Sequence, residues 1–162
     1  MEGVQKQDKM FLIVYSGDLD RALSAFSLAL TGVSLGMPVT MVFTMWGLNI
    51  VRRPDAKPEG SGIRKLMARF NRGGAERLQL SRLNMMGLGT ALMNRTMRRS
   101  GLPTVAQMIP LAKQMGVKYI ACTTPMGLMG LTEKDFVPEV DTFTGAATYL
   151  LEAKEAALTY FI

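Results

Sequence analysis

The sequence predicts an α/β fold, a three-layer sandwich with a mostly parallel sheet flanked by helices and a helical insertion after the second strand. Three observations carry this expectation. Residues 9–15 (KMFLIVY) form a near-continuous apolar run, the pattern of a strand buried on both faces. Leu19, Leu23, Phe26, Leu30 and Val33 then recur at spacings of four and three, which places them on one stripe of a helix. Residues 39–44 (VTMVFT) form a second apolar run, and the whole strand–helix–strand unit has the size of a right-handed crossover, about 35 residues.

The remaining elements follow in order. Asp18 is a candidate N-cap of the first helix and Gly36 its C-terminal stop. Phe43-Thr44-Met45-Trp46-Gly47-Leu48-Asn49 follows the second strand and holds the single tryptophan. Trp46 reads either as a core aromatic covering the sheet end or as the wall of a pocket. Residues 53–62, rich in Pro, Gly and charge, read as a loop. Residues 63–70 pattern as a helix, with Ile63, Leu66, Met67 and Phe70 opposite Arg64, Lys65 and Arg69, and Asn71-Arg72-Gly73-Gly74 ends it. Residues 53–100 together form a basic, Met-rich, glycine-punctuated helical insertion inside a single domain spanning 1–162.

Regular patterning resumes at residues 102–115, a helix with Val105, Met108, Ile109, Ala112 and Met115 on one face, Thr104 as its cap and Gly116 as its stop. Pro110 removes a backbone donor there and is expected to bend it. Residues 117–121 are a short buried strand. Thr132-Glu133-Lys134-Asp135 has capping-box spacing and opens a short helix. Residues 137–140 pattern as an edge strand, where Pro138 is tolerated. Residues 146–161 read as a final alanine-rich helix, with Tyr149, Leu150, Ala153 and Tyr160 among its inward candidates.

Composition excludes several classes of chemistry. A chain of 162 residues, 48% apolar and 20% charged, fits one globular domain. The single cysteine excludes an intramolecular disulfide and a Cys-rich zinc or iron–sulfur site within one chain. The absence of histidine excludes imidazole catalysis. The polar start and the lack of a long apolar run give the expectation of a cytoplasmic protein. There is neither a G-x-G-x-x-G nor a Walker loop, so no nucleotide cofactor is called for. The eight methionines from Met85 to Met129 read as fillers of cores and interfaces and not as copper ligands.

Charge is unevenly spread. Arg52 to Arg99 holds twelve Lys and Arg against Asp55, Glu59 and Glu76, a balance of +9, while the rest has seven bases and ten acids, −3. This segment reads as a solvated face, as a docking patch for an acidic partner with Arg64, Arg69 and Arg72 as candidates, or as a surface touching anionic lipid. Lipid contact ranks low because the apolar face of residues 88–97 is not clean. No aromatics interleave with the arginines, so no nucleic acid is expected. The apolar surface of residues 83–97 exceeds what one small domain buries, and implies a homo-oligomer.

Cys122 closes the third strand. In open α/β sheets, ligands and chemistry gather at the carboxyl ends of strands, and thiolate is the reactive form of cysteine. The same position suits a small buried hydrophobe. Trp46, Thr123, Thr124 and Met126 are the candidates to line a pocket around it.

Three segments resemble one family. Phe43-Thr44-Met45-Trp46-Gly47-Leu48 is similar to the F-T-F-W-G-L element of the DsrE/DsrF-like sulfur-carrier family, in its larger DsrE-like branch. Residues 111–117 with Ile120-Ala121-Cys122 resemble its A-K-x-x-G-V-x-x-x-A-C element, and Met126-Gly127-Leu128-Met129-Gly130-Leu131 its M-x-x-M-G-[IL] tail. The likeness, with Thr144-Gly145-Ala146, covers most of the chain. It implies a parallel sheet, a symmetric homo-oligomer (a trimer or a multiple of it), and Cys122 carrying sulfur as a persulfide between donor and acceptor proteins, without a cofactor or metal. Some members have a second cysteine; this chain has one, so resolution through an internal disulfide is not open to it. The alternative from a different class is a binding or scaffolding protein that docks an anionic partner through its basic insertion, with Cys122 structural.

Overall fold

The computed structural model describes residues 7–56, 71 and 73–162. Strands β1 (Gln7–Val14), β2 (Val39–Phe43), β3 (Lys118–Cys122), β4 (Thr142–Thr144) and β5 (Ala156–Phe161) form one sheet in the order β4-β3-β2-β1-β5. Every pairing is parallel. The α-helices are α1 (Leu19–Ser34), α2 (Leu88–Arg99), α3 (Val105–Gln114), α4 (Thr123–Met129) and α5 (Ala146–Lys154).

Strand alternation divides the core in two. Met10, Leu12 and Val14 of β1 stand level with Val39, Met41 and Phe43 of β2, and with Tyr119 and Ala121 of β3 they face α1 and α3. Alanines at 22, 25 and 29 let α1 lie close on this face, and Phe26 fills the space between Phe43 and Tyr119. Burial of a side chain like Phe26 stabilises the fold by roughly 1.5–3 kcal/mol. The Tyr119 hydroxyl donates to the Ile109 carbonyl of α3 at 2.8 Å, so this buried polar tip is bonded. On the opposite face Phe11, Ile13, Val42, Ile120 and Cys122 lie under α5 in a smaller cluster with Tyr149, Ala153 and Ala156.

The first half of the chain follows its pattern closely. Leu35 caps α1, and Gly36 turns away at φ +82°, a conformation glycine adopts without penalty. Asp18 stands at the N-cap, yet its carboxylate accepts from the Ser16 hydroxyl at 2.8 Å and not from the helix. The Gln107 side chain accepts from the Thr104 N–H at 2.9 Å, and α3 runs on past Pro110 to Gln114. Asp135 closes the box at Thr132, accepting its N–H at 2.8 Å.

Three expectations are corrected. Residues 146–161 are not one helix: α5 ends at Lys154 and β5 begins at Ala156. Pairing with the otherwise bare flank of β1, helped by Thr159, Tyr160 and Phe161, overrides the helix propensity of the alanines. Residues 137–140 form no strand; Val137 donates one bond to the Val51 carbonyl, and the sheet edge is β4, where Phe143 packs on Phe136. Residues 78–83 of the insertion are not helical, and Leu78 is buried in the main core. Short 3-10 turns at Ala75–Arg77 and Met85–Gly87 precede α2. The helix expected at residues 63–70 lies outside the described residues, as do Arg64, Arg69 and Arg72. Among the described residues, no helix is long and apolar enough to cross a membrane.

Candidate functional site

The site grows out of the last residue of β3. Cys122 pairs with Thr144 of β4, and on the other side Thr44 directly follows the Phe43–Ala121 pair, so Thr44, Cys122 and Thr144 stand nearly level. Parallel in-register residues share a face. The thiol therefore lies between two threonines on the α5 side of the sheet. Its own backbone is the N-cap of α4, with φ −77° and ψ 122°.

From above, α5 brings down Tyr149, one turn after Gly145 opens the helix. The Tyr149 hydroxyl interacts with both the Cys122 sulfur and the Thr44 hydroxyl. Burial and then the neighbouring Cys122 push the Tyr149 hydroxyl above its ordinary value, against a smaller opposing pull from Thr44. A phenol so placed keeps its proton. Glu152, one turn further on, anchors α5 through Lys118 of β3 at 3.0 Å and Lys9 of β1 at 3.9 Å. Under this cover Cys122 is only 2% exposed.

The residues proposed from sequence to surround the thiol are distributed differently. Thr123 and Thr124 start α4 and are exposed, and the Thr123 hydroxyl lies beside Gly145 at the start of α5. Trp46 sits on the 3-10 turn Met45–Asn49 and is 42% exposed. Met126 is buried, but in the larger cluster on the α1 side of the sheet. Cys122 alone of these candidates belongs to the cluster under α5. The structure adds Tyr149 and Thr44. Tyr149 stood in the sequence as an inward residue of an alanine-rich helix, and nothing in that pattern linked it to the thiol 27 positions earlier.

Glycine explains the F-T-M-W-G-L segment. The Gly47 N–H donates to the Tyr15 carbonyl at 2.8 Å, and a Cβ there would collide with the Val14 carbonyl. A Cβ on Gly17 would stand 2.6 Å from the Trp46 carbonyl oxygen. The ends of β1 and β2 thus press together backbone to backbone. Among the described residues no group of three or more His, Cys, Asp or Glu side chains is placed to hold a metal ion.

Comparison with known proteins agrees with this architecture. The chain is 28% identical over 160 residues to the sulfur carrier protein DsrE2 of Allochromatium vinosum, covering 97% of this chain and 99% of that one. It is 33% identical over 152 residues to the protein YrkE of Bacillus subtilis, covering 93% and 94% of the two chains. Protein MTH1491 of Methanobacterium thermoautotrophicum superposes with a TM-score of 0.54 at 12% identity, over 96% of this chain and all of that one. The ychN protein of E. coli superposes at 0.50 and 11% identity, over 95% and 99%. Residues 6–161 match the model of the DsrE/DsrF/DrsH-like family, and the chain belongs to that family.

Proposed function

We propose that this protein relays sulfane sulfur, carried as a persulfide on Cys122, between a donor and an acceptor protein. The observation that carries the reading is the setting of the sole cysteine: a strand-end thiol with the Tyr149 hydroxyl against its sulfur, in a chain whose relative is named a sulfur carrier. In loading, the Cys122 thiolate attacks the outer sulfur of a donor persulfide, R–S–SH. A new S–S bond forms to Cys122, the donor's S–S bond breaks, and the donor leaves as its thiolate R–S⁻. Unloading is the same exchange in reverse, onto an acceptor thiolate. Tyr149 acts as a hydrogen-bond donor to sulfur in each state, and displacement of α5 gives the partner access. The relay takes place in the cytoplasm, in a homo-oligomer whose subunits cover Leu83, Met86, Leu88 and Leu92, each at least 66% exposed in the single chain.

Intact-mass measurement after exposure to a persulfide donor tests the proposal, with Cys122→Ser as the comparison. The native chain gains one sulfur and the variant none. A native chain that stays unmodified with every donor, while its cysteine alkylates readily once unfolded, overturns the reading.

The burial of Cys122 favours a second reading, a binding or scaffolding protein in which the thiol only packs. Partner capture then depends on Arg64, Arg69 and Arg72 and falls with salt. Salt-independent capture together with fast native alkylation of Cys122 rejects it.

A further inference from the structure

Among the described residues the sheet has two margins, β4 and β5, and only one of them is blunted. β4 is three residues long and follows Asp141, whose carboxylate is held by Lys113 and by the Tyr119 N–H. Very short edge strands resist further pairing. β5 is twice that length, and residues 156–161 (AALTYF) hold no charge and no proline, the residues that commonly keep strand edges apart. Leu158, Tyr160 and Phe161 of this strand are 37%, 42% and 69% exposed.

The ladder with β1 fixes which backbone groups of β5 point outward. The Ile162 N–H donates to the Ile13 carbonyl at 2.9 Å, and the Ile162 carbonyl accepts from the Tyr15 N–H at 2.7 Å, so Ile162 turns both groups towards β1. Direction alternates along a strand, so Leu158 and Tyr160 do the same, while Ala157, Thr159 and Phe161 turn theirs to the open side. None of these outward groups has a backbone partner among the described residues. Register also assigns the side chains. Leu158 and Tyr160 stand level with Met10 and Leu12 on the α1 face, and Thr159 and Phe161 with Phe11 and Ile13 on the α5 face.

We propose that β5 pairs antiparallel with β5 of a second copy about a two-fold axis at Thr159, joining two five-stranded sheets into one. This register uses every outward group. Thr159 faces its own counterpart and Ala157 faces Phe161, each pair exchanging both of its bonds. Between them Leu158 faces Tyr160 on either side of the axis, an aliphatic–aromatic contact, and the large Phe161 lies against the small Ala157. A slip of one residue sets opposite faces against each other, and a slip of two leaves Phe161 or Ala157 opposite a residue outside β5. Donors meet acceptors along the whole edge and no charged side chain of β5 is desolvated, so a copy of this strand is complementary to it in charge. The contact is isologous, the commonest kind in homo-oligomers.

With about 200 Å² for a whole aromatic side chain, Tyr160 and Phe161 together expose about 200 Å² per copy. Interfaces below about 1,200 Å² form weak, reversible complexes, so dissociation in the range of about 1–100 µM is expected. The pairing involves neither Cys122 nor the apolar surface at residues 83–92, and stands apart from the sulfur relay.

Sedimentation velocity of the native chain and Thr159→Lys, over about 1–100 µM, tests the assembly. Lysine at 159 sets like charges directly opposite across the axis and leaves the groups that bond β1 in place; its urea midpoint shows that it is folded. The native mass rises with concentration to about twice that of the variant. Register is read by oxidation in the Cys122→Ser background. Thr159→Cys brings two thiols onto residues about 5.5 Å apart at Cα, within disulfide reach, and forms a covalent dimer. Phe161→Cys, more than about 13 Å from its counterpart, does not. Should Thr159→Lys not fold, the cross-link decides alone. A native mass equal to that of folded Thr159→Lys at about 100 µM overturns the proposal. So does a Thr159→Cys chain that fails to cross-link, or one that cross-links no faster than Phe161→Cys.

Discussion

Tyr149→Ala removes the ring that α5 lays against Cys122, and its effect on the thiol can be worked from what holds the helix. Only Tyr149 and Ala153 of α5 are buried, and the ion pairs of Glu152 with Lys118 and Lys9 are partly exposed. Exposed pairs contribute about 0–1 kcal/mol each, so the ring dominates the docking of this helix. Truncating a buried aromatic to alanine costs about 3–5 kcal/mol. The outer face of α5 is open to water, which favours the lower figure. If about 3 kcal/mol falls on local opening of α5 and not on global unfolding, the open population rises about 100-fold. Cys122, 2% exposed in the closed state, reacts mainly through that population. Alkylation by iodoacetamide in native buffer, normalised to the unfolded chain, should therefore accelerate by about two orders of magnitude. Tyr149→Phe keeps the ring and loses only the hydroxyl's bonds, worth about 1 kcal/mol net, so its acceleration stays within about tenfold. An alanine variant that is folded but whose Cys122 reacts no faster than the native thiol would refute the view that α5 controls access.

Two further outcomes are expected. Against the opposing effect of burial, the Ser81 hydroxyl at 2.7 Å and N–H at 2.9 Å hold Asp20 below its ordinary value of 3.8. A depressed folded-state value stabilises the fold above that pH and loses the contribution as pH falls through it. Asp20→Asn should therefore show a smaller loss of stability between pH 6 and pH 3 than the native chain, by less than about 1 kcal/mol given the exposure of the pair, read from urea midpoints. Gly47→Ala drives a methyl into the Val14 carbonyl and should cost more than about 3 kcal/mol by the same assay; a midpoint equal to the native one would show that the ends of β1 and β2 have room to separate.

What the sequence disclosed depended on whether the signal was local. β1, α1, β2, α3 and β3 each announce themselves through an apolar run or a helical stripe a few residues long, and each is present within three residues of its expected bounds. β5 was hidden because Ala156 and Ala157 continue an alanine-rich helix, and only the bare flank of β1, at the far end of the chain, decides their state. β4 has three residues, too few for alternation to be read, although Thr142-Phe143-Thr144 does alternate. Cys122 was legible as a strand-end thiol. Its cover was not: Trp46 and Met126 sit next to the right strand ends in sequence, but α4 carries Met126 into the cluster on the other face and the 3-10 turn leaves Trp46 exposed. Tyr149 reaches the thiol only because α5 crosses the sheet to bring in β5.

The pairing of β1 with β5 joins residues as far apart as Gln7 and Ala156. β1 leaves the ribosome first of the five strands, apolar on both faces, and finds β2 soon afterwards. Its second neighbour is synthesised only after every other described element. Until then a strand destined for the interior remains an edge, with free amides and the apolar side chains of Phe11 and Ile13 uncovered by α5. Contacts spanning this much chain form slowly. The nascent chain thus has a long interval in which β1 is open to pairing with the wrong strand, and its safe passage depends on early cover from elsewhere, whether a chaperone or β1 of another copy. The same ladder that completes the mature sheet leaves the unfinished one with an open, aggregation-prone edge.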